Sequence, residues 1–147
     1  MSTLLKNSYH TVRIEGYSAD GSGVARIDGQ VVFVKGAING ELCEIKILKV
    51  LKNYAYGKIE RIIEGSESRT APVCPNFGKC GGCDFLHMAY EEELSFKKAR
   101  VEEAFKRIGG LNLPVSEIHG AKMTEGYRNK VIYAVGKKDG HAVAGFY

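Results

Sequence analysis

Apolar and polar residues alternate in short runs along the first 64 positions, and turn-forming residues separate the runs. In "HTVRIEGY" the alternation places Val12 and Ile14 on one face of an extended segment. In "ELCEIKILKV" it places Cys43, Ile45 and Ile47 on one face, with charged residues on the other. This period of two predicts β-strands that bury one side and expose the other.

A tight turn is predicted at Asp28-Gly29, between the apolar runs "GVARI" and "QVVFV". An Asp-Gly pair favours a two-residue hairpin, because both central positions of a type I′ turn need positive φ. Counting the alternating runs gives five short strands in residues 1–64. Strands this short and closely spaced predict a five-stranded β-barrel of the OB type.

Residues 65–147 have a different pattern. A polar linker, "EGSESRTAPV", precedes a helix predicted over residues 90–108, where Leu94, Val101 and Phe105 recur at helical spacing. Three glutamates open the helix, basic residues close it, and Gly109-Gly110 follows as a stop signal. The protein is therefore expected to be mainly β with one clear helix.

From position 127 the pattern returns to strands, with a second hairpin turn predicted at Asp139-Gly140. The sequence then stops at Tyr147 inside an apolar run. We expect residues 65–147 to contain the start of an incomplete α+β domain, and the chain to be the N-terminal part of a longer protein.

The composition is that of a globular protein, with 44% hydrophobic and 26% charged residues. No apolar run is long enough to span a bilayer, so we expect a cytoplasmic protein, without a membrane partner and monomeric. The net charge of +4 is a weak indication of a nucleic-acid partner. A reducing compartment favours metal binding over disulfides at clustered cysteines.

The segment "CPNFGKCGGC" contains such a cluster, in Cys74, Cys80 and Cys83, whereas Cys43 is expected in the barrel core. Two metal sites are compatible with the spacing. Zinc could take the three thiolates together with His87. A 4Fe-4S cluster could take the three thiolates and a fourth from a distant element. The spacing alone leaves both open.

Candidate RNA contacts lie in "KVLKNYAYGK", because OB-like barrels bind single strands with basic grooves and aromatic faces. A solvated edge with tyrosines in the core is the competing interpretation. Arg128 and Lys130, beside a predicted strand start, are further candidates for phosphate contacts. The contacts predicted in the first segment are Lys49, Lys52, Tyr54, Tyr56 and Lys58.

The stretch "CPNFGKCGGCDFLHMAYEEELSFKKARVEEAFKRIGG" resembles the iron–sulfur segment of the bacterial RNA (uracil-5-)-methyltransferases, especially those of 23S ribosomal RNA. The preceding "DGSGVARIDGQVVFVKGAINGELCEIKILKV" resembles their TRAM domain, and "GYRNKVIYAVG" resembles the start of their central domain. The resemblance implies a TRAM domain over residues 1–64, followed by an iron–sulfur segment over residues 65–147.

The resemblance also implies roles. Cys74, Cys80 and Cys83 match three of the family's four cluster ligands, the fourth lying further along the chain, and His87 matches a histidine that is not a ligand. Relatives of this kind methylate uridine in RNA with S-adenosylmethionine, through a cysteine nucleophile and a carboxylate base. No residue of this chain is expected to be catalytic or to bind S-adenosylmethionine, since the resemblance implies that the domain with these roles belongs to the rest of the parent protein. The expected partner is RNA, of ribosomal type.

Overall fold

The computed structural model describes residues 4–145, which form eight strands and one helix. No helix in this range is long and apolar enough to cross a membrane. The strands are β1 (Tyr9–Arg13), β2 (Gly16–Tyr17), β3 (Gly23–Ile27), β4 (Gln30–Lys35), β5 (Leu42–Val50), β6 (Tyr54–Glu64), β7 (Ala134–Lys138) and β8 (His141–Gly145), and the helix is α1 (Tyr90–Arg107).

The first six strands form one curled sheet in the order β1-β5-β6-β4-β3-β2. Neighbours are antiparallel except β4 and β6, which run parallel. The two edge strands of this sheet, β1 and β2, are consecutive in the chain and are joined by Ile14 and Glu15. The amide of Ile14 donates to the Glu41 carbonyl (2.9 Å), and that of Glu15 donates to the Val24 carbonyl (2.7 Å). One stretch of chain thus borders both ends of the sheet.

The alternation of apolar residues is confirmed in the core of this sheet. Val12 and Ile14 are at most 5% exposed, and Cys43, Ile45 and Ile47 are fully buried. The predicted count of five strands is not confirmed. "HTVRIEGY" divides into β1 and β2, because the chain leaves β5 after Arg13 and pairs with β3 from Gly16.

The hairpin turns are confirmed. Asp28 and Gly29 have φ of 48° and 85°, and Asp139 and Gly140 have φ of 51° and 84°. Both residues of each turn therefore occupy the left-handed region that a type I′ turn requires. The first turn joins β3 to β4, and the second joins β7 to β8.

The predicted helix is also confirmed, with three glutamates in its first turn and Lys106-Arg107 in its last. Its buried residue within the described range is Phe96, whereas Val101 and Phe105 remain 46% and 40% exposed. The strand predicted from position 127 is wrong in its start. Within the described range, β7 begins at Ala134, which pairs with Gly145 of β8, and residues 127–132 are irregular.

Candidate nucleic-acid interface and cysteine segment

The outward face of β4 and β6 carries three aromatic side chains in mutual contact. The parallel register places Phe33 beside Tyr56, with Tyr54 two residues before it on the same face. Ring centroids lie 5.5 Å apart for Phe33 and Tyr54, 6.0 Å for Phe33 and Tyr56, and 5.6 Å for the two tyrosines. Tyr56 is 42% exposed. We call these three residues the aromatic platform.

The inward neighbours explain why the platform faces out. Val32, Val34, Ala55 and Gly57 alternate with the aromatic residues along β4 and β6, and all four are buried. Because successive side chains of a strand point to opposite faces, the rings between them must point away from the core. The interpretation of the tyrosines as core residues is therefore wrong for Tyr56, and Tyr54 is half-buried.

Lysines border the aromatic platform on neighbouring strands. Lys35 is in register with Lys58, Lys58 with Lys46, and Lys49 with Tyr56. The Lys58 ammonium group lies 3.7 Å from the Glu60 carboxylate, and the lysine side chain is 65% exposed. An ion pair this exposed contributes little, so the ammonium group is available to another anion. The aromatic platform is thus bordered by basic side chains.

The remaining predicted RNA contacts lie at two places. Lys52 is exposed in the turn between β5 and β6, two residues before Tyr54. Arg128 and Lys130 are exposed in the irregular segment before β7, where the Arg128 guanidinium lies 5.9 Å from the Tyr127 ring centre. They flank no strand start, because β7 begins at Ala134.

Phe33 and Lys35 were missed by the sequence interpretation. The run "QVVFVK" is almost wholly apolar, so the alternation that would have exposed Phe33 is masked by Val31. The available signal was the hairpin turn, since it fixes the phase of β4 relative to β3. That phase places Val32 and Val34 inside, and hence Phe33 and Lys35 outside.

A buried ion pair joins the sheet to the linker that follows it. Both carboxylate oxygens of Glu41, which is fully buried, accept hydrogen bonds from Arg69, at 2.5 and 2.8 Å. The backbone amides of Ile38 (2.9 Å) and Ser66 (3.3 Å) also donate to this carboxylate. Arg69 donates a further hydrogen bond to the Gly36 carbonyl (2.7 Å).

The charge state of Glu41 follows from these contacts. Burial by itself raises the pKa of the carboxyl, since a charge is costly to desolvate. The hydrogen bonds and charge of Arg69, with the amides of Ile38 and Ser66, outweigh burial and hold the pKa of Glu41 below its ordinary value. Nearby, burial and the negative charge of Glu41 raise the pKa of Cys43 to about 11.

The cysteine segment contains three free thiols, with Cys74 and Cys80 half-buried and Cys83 exposed. Gly78 (φ 77°) and Gly81 (φ 64°) turn the chain through the left-handed region, and the Gly82 amide donates to the Cys80 sulfur (3.4 Å). In residues 4–145, however, no three His, Cys, Asp or Glu side chains are close enough to hold a metal ion. The donor types suit a thiolate site, but the described geometry does not assemble one.

His87 lies apart from such a set of donors. It is 4% exposed, its ring packs on Phe77 with centroids 5.5 Å apart, and neither ring nitrogen has a hydrogen-bond partner among the described residues. Burial, with the positive charge of Arg69 as a second cause, lowers the pKa of His87, whereas Glu41 opposes the shift. The zinc site predicted with His87 as fourth ligand is not formed within residues 4–145.

Helix α1 is held against the curled sheet through Tyr17. The Tyr17 ring meets Phe96 edge-on, with centroids 5.3 Å apart, and the Phe85 ring also packs on Phe96, with centroids 5.5 Å apart. The Tyr17 hydroxyl donates to the Glu92 carboxylate (2.7 Å) and accepts from the Asn39 amide (3.0 Å). These contacts give α1 a defined place beside β2.

A model of the TRAM domain family matches residues 4–59. A protein of Clostridium tetani named as an uncharacterized RNA methyltransferase is 44% identical over 142 residues, which is 97% of this chain and 31% of that protein. A similarly named protein of Clostridium acetobutylicum is 45% identical over 145 residues, covering 97% of this chain and 32% of that protein.

Among solved structures, the solution structure of a conserved protein of Methanococcus maripaludis is 32% identical to this chain. It covers 42% of this chain and 90% of its own, with a TM-score of 0.39. The chain spans about a third of the length of the curated relatives that it matches. Residues 4–59 thus match the TRAM domain family, and nearly the whole chain is similar to the N-terminal third or so of proteins named as RNA methyltransferases.

Proposed function

We propose that this chain is the RNA-binding part of an RNA methyltransferase, and that it binds single-stranded RNA on the outer face of its TRAM domain. The observation that carries the proposal is the aromatic platform of Phe33, Tyr54 and Tyr56 inside a border of lysines. Relatives named as RNA methyltransferases, at 44–45% identity, support the choice of RNA.

The platform and its border have complementary roles in this proposal. Each base that stacks on an aromatic ring contributes about 1–3 kcal/mol, without dependence on sequence. Lys49, Lys52 and Lys58, with Lys35 and Lys46, attract the phosphates and keep the strand on the face. Arg128 and Lys130 would contact more distant phosphates of the same RNA. Binding of this kind weakens steeply as salt rises.

The same proposal includes the reaction of the longer protein to which this chain would belong. Residues 1–64 form the RNA-binding domain, and residues 65–147 form the cysteine segment, α1 and the start of a central domain. The complete protein would transfer a methyl group from S-adenosylmethionine to C5 of uracil, in the cytoplasm, in RNA of ribosomal type. This chain then contributes RNA recognition, and the catalytic residues lie outside it.

The interface is tested by titrating fluorescent single-stranded RNA with the full 147-residue chain and following anisotropy. Tyr56→Ala should weaken binding by about 5- to 150-fold, as loss of one stacked base predicts. Ile63→Ala is the matched control, because Ile63 lies on the same strand and is 43% exposed but has no aromatic face. Equal affinities of the two variants would contradict the proposal.

We also propose that Cys74, Cys80 and Cys83 supply three ligands to a 4Fe-4S cluster, with a fourth from outside this chain. The support is the donor set, three free thiols within ten residues on a glycine-rich loop. When bound, such a cluster would fix the fold of this loop. Iron and sulfide are measured after anaerobic reconstitution of the longer protein that contains the fourth ligand. They should be retained in Cys43→Ala and lost in Cys80→Ala, and equal iron in the two variants would refute the assignment.

A further inference from the structure

An open groove of about 440 Å³ lies beside the aromatic platform. One wall is the end of the sheet, with Glu15, Tyr17 and Arg26, and the other includes Arg107 from the last turn of α1. Phe33 lines this groove and is also a member of the aromatic platform. The platform and the groove therefore form one continuous surface that runs from β6, across β4 and β3, to the helix.

Two arginines face this groove from different parts of the chain. Arg26 lies 3.6 Å from Glu15, and both side chains are more than half exposed. Arg107 lies 2.5 Å from Glu103, with 79% of its own side chain exposed. Exposed pairs of this kind contribute little to stability, so a phosphate can replace either carboxylate as partner. Guanidinium groups are well suited to this exchange, because they bind phosphate oxygens in pairs.

The contacts of Tyr17 make the groove a fixed feature of the fold. Tyr17 lines the groove and also anchors α1, through Phe96 and the Glu92 carboxylate. The helix that carries Arg107 is thereby held in place relative to the sheet that carries Phe33 before any ligand binds. A preformed site spends little of its binding free energy on ordering.

We propose that the groove is a second subsite for the same RNA strand, in which Arg26 and Arg107 bind the phosphodiester adjoining the nucleotide stacked on Phe33. The proposal rests on the function proposed for the aromatic platform. It adds that the TRAM domain and α1 grip one strand together, so that the helix after the cysteine segment is itself part of the RNA-binding surface.

The test measures RNA affinity of the full chain against salt concentration and oligonucleotide length. Arg107→Gln and Arg26→Gln should each weaken binding about threefold to fivefold and lower the salt slope by about 0.7, the value of one phosphate contact on a single strand. The effect should be seen with oligonucleotides long enough to pass beyond the platform, and it should vanish for the shortest ones that bind.

The controls match each arginine. Lys106→Gln removes the same charge from the neighbouring position of α1, and Arg61→Gln removes an exposed arginine that pairs with Glu44 at 3.4 Å on the same sheet. If both groove variants match their controls while Tyr56→Ala still weakens binding, the groove is not a subsite. If the native chain binds no single-stranded RNA, the proposed function itself fails.

Discussion

Arg69 forms a two-pronged ion pair with Glu41, a carboxylate with no exposed surface, and so joins the linker to the end of the curled sheet. Backbone hydrogen bonds also join this linker to the residues that follow the cysteine segment. The Thr70 amide donates to the His87 carbonyl (3.0 Å), and the Ala89 amide donates to the Ser68 carbonyl (2.7 Å). The cysteine segment is thus a loop whose two ends are tied together beside a buried ion pair.

Removing Arg69 should be strongly destabilising, because it leaves the Glu41 carboxylate buried without its counter-charge. We expect Arg69→Met to lower the free energy of unfolding by about 3 kcal/mol. Urea denaturation followed by circular dichroism measures this. Arg13→Met is the matched control, since the Arg13–Glu64 pair has the same 2.5 Å separation but is more than half exposed, and its loss should cost under about 1 kcal/mol. Similar costs for the two variants would show that burial of the pair is unimportant.

His87 should make stability depend on pH in a defined direction. Its pKa in the folded chain is lowered from the ordinary value of 6.5, so the unfolded chain binds the proton more readily. Stability is therefore retained above pH 6.5 and lost as the pH falls below it, by at most about 1.4 kcal/mol per pH unit. We expect His87→Leu to flatten this loss, as measured by urea denaturation across about pH 7 to 5.

The same variant also tests the two ring nitrogens of His87, which have no hydrogen-bond partner within residues 4–145. Replacing a buried polar group that lacks partners by an apolar one is close to neutral, or stabilising. His87→Leu should accordingly fold at least as stably as the native chain at neutral pH. His141→Leu, which replaces an exposed histidine, is the matched control. A large loss of stability in His87→Leu would indicate that the imidazole has a partner that residues 4–145 do not supply.

The sequence predicted those features that depend on local periodicity and turn chemistry. Alternation around Cys43 predicted the buried face of β5, and the Asp28-Gly29 pair predicted the turn between β3 and β4. Tyr54 and Tyr56 were singled out because they lie among lysines in an expected OB-like barrel. The Glu41–Arg69 ion pair was not predictable in this way. Its partners are 28 residues apart, and the fold of the whole sheet brings them together. Phe33 was missed for a local reason, because valines on both faces of β4 hide the alternation.

Gly21 should be more sensitive to substitution than other glycines with the same backbone conformation. A Cβ at Gly21 would overlap Cε1 of Phe85, whose ring packs on Phe96 of α1. Gly29 has a similar φ of +85°, but no atom of the described residues lies within 4 Å of its Cβ position. We expect Gly29→Ala to cost about 1 kcal/mol from backbone strain alone. Gly21→Ala should cost about 1–3 kcal/mol more, from overpacking. Thermal or urea unfolding compares the two, and equal costs would mean that Phe85 moves away freely.

The four cysteines should differ in reactivity according to where the fold places them. Cys43 is fully buried with a pKa raised to about 11, so its thiolate is scarce and inaccessible. Cys74, Cys80 and Cys83 are half-buried or exposed and free. A colorimetric thiol reagent applied to metal-free protein should detect three thiols rapidly and the fourth only after unfolding. In Cys43→Ala the rapid count should remain three, whereas in Cys83→Ala it should fall to two. A rapid count of four in the native chain would contradict the burial of Cys43, and a smaller change in Cys83→Ala would show that the exposed thiol is protected.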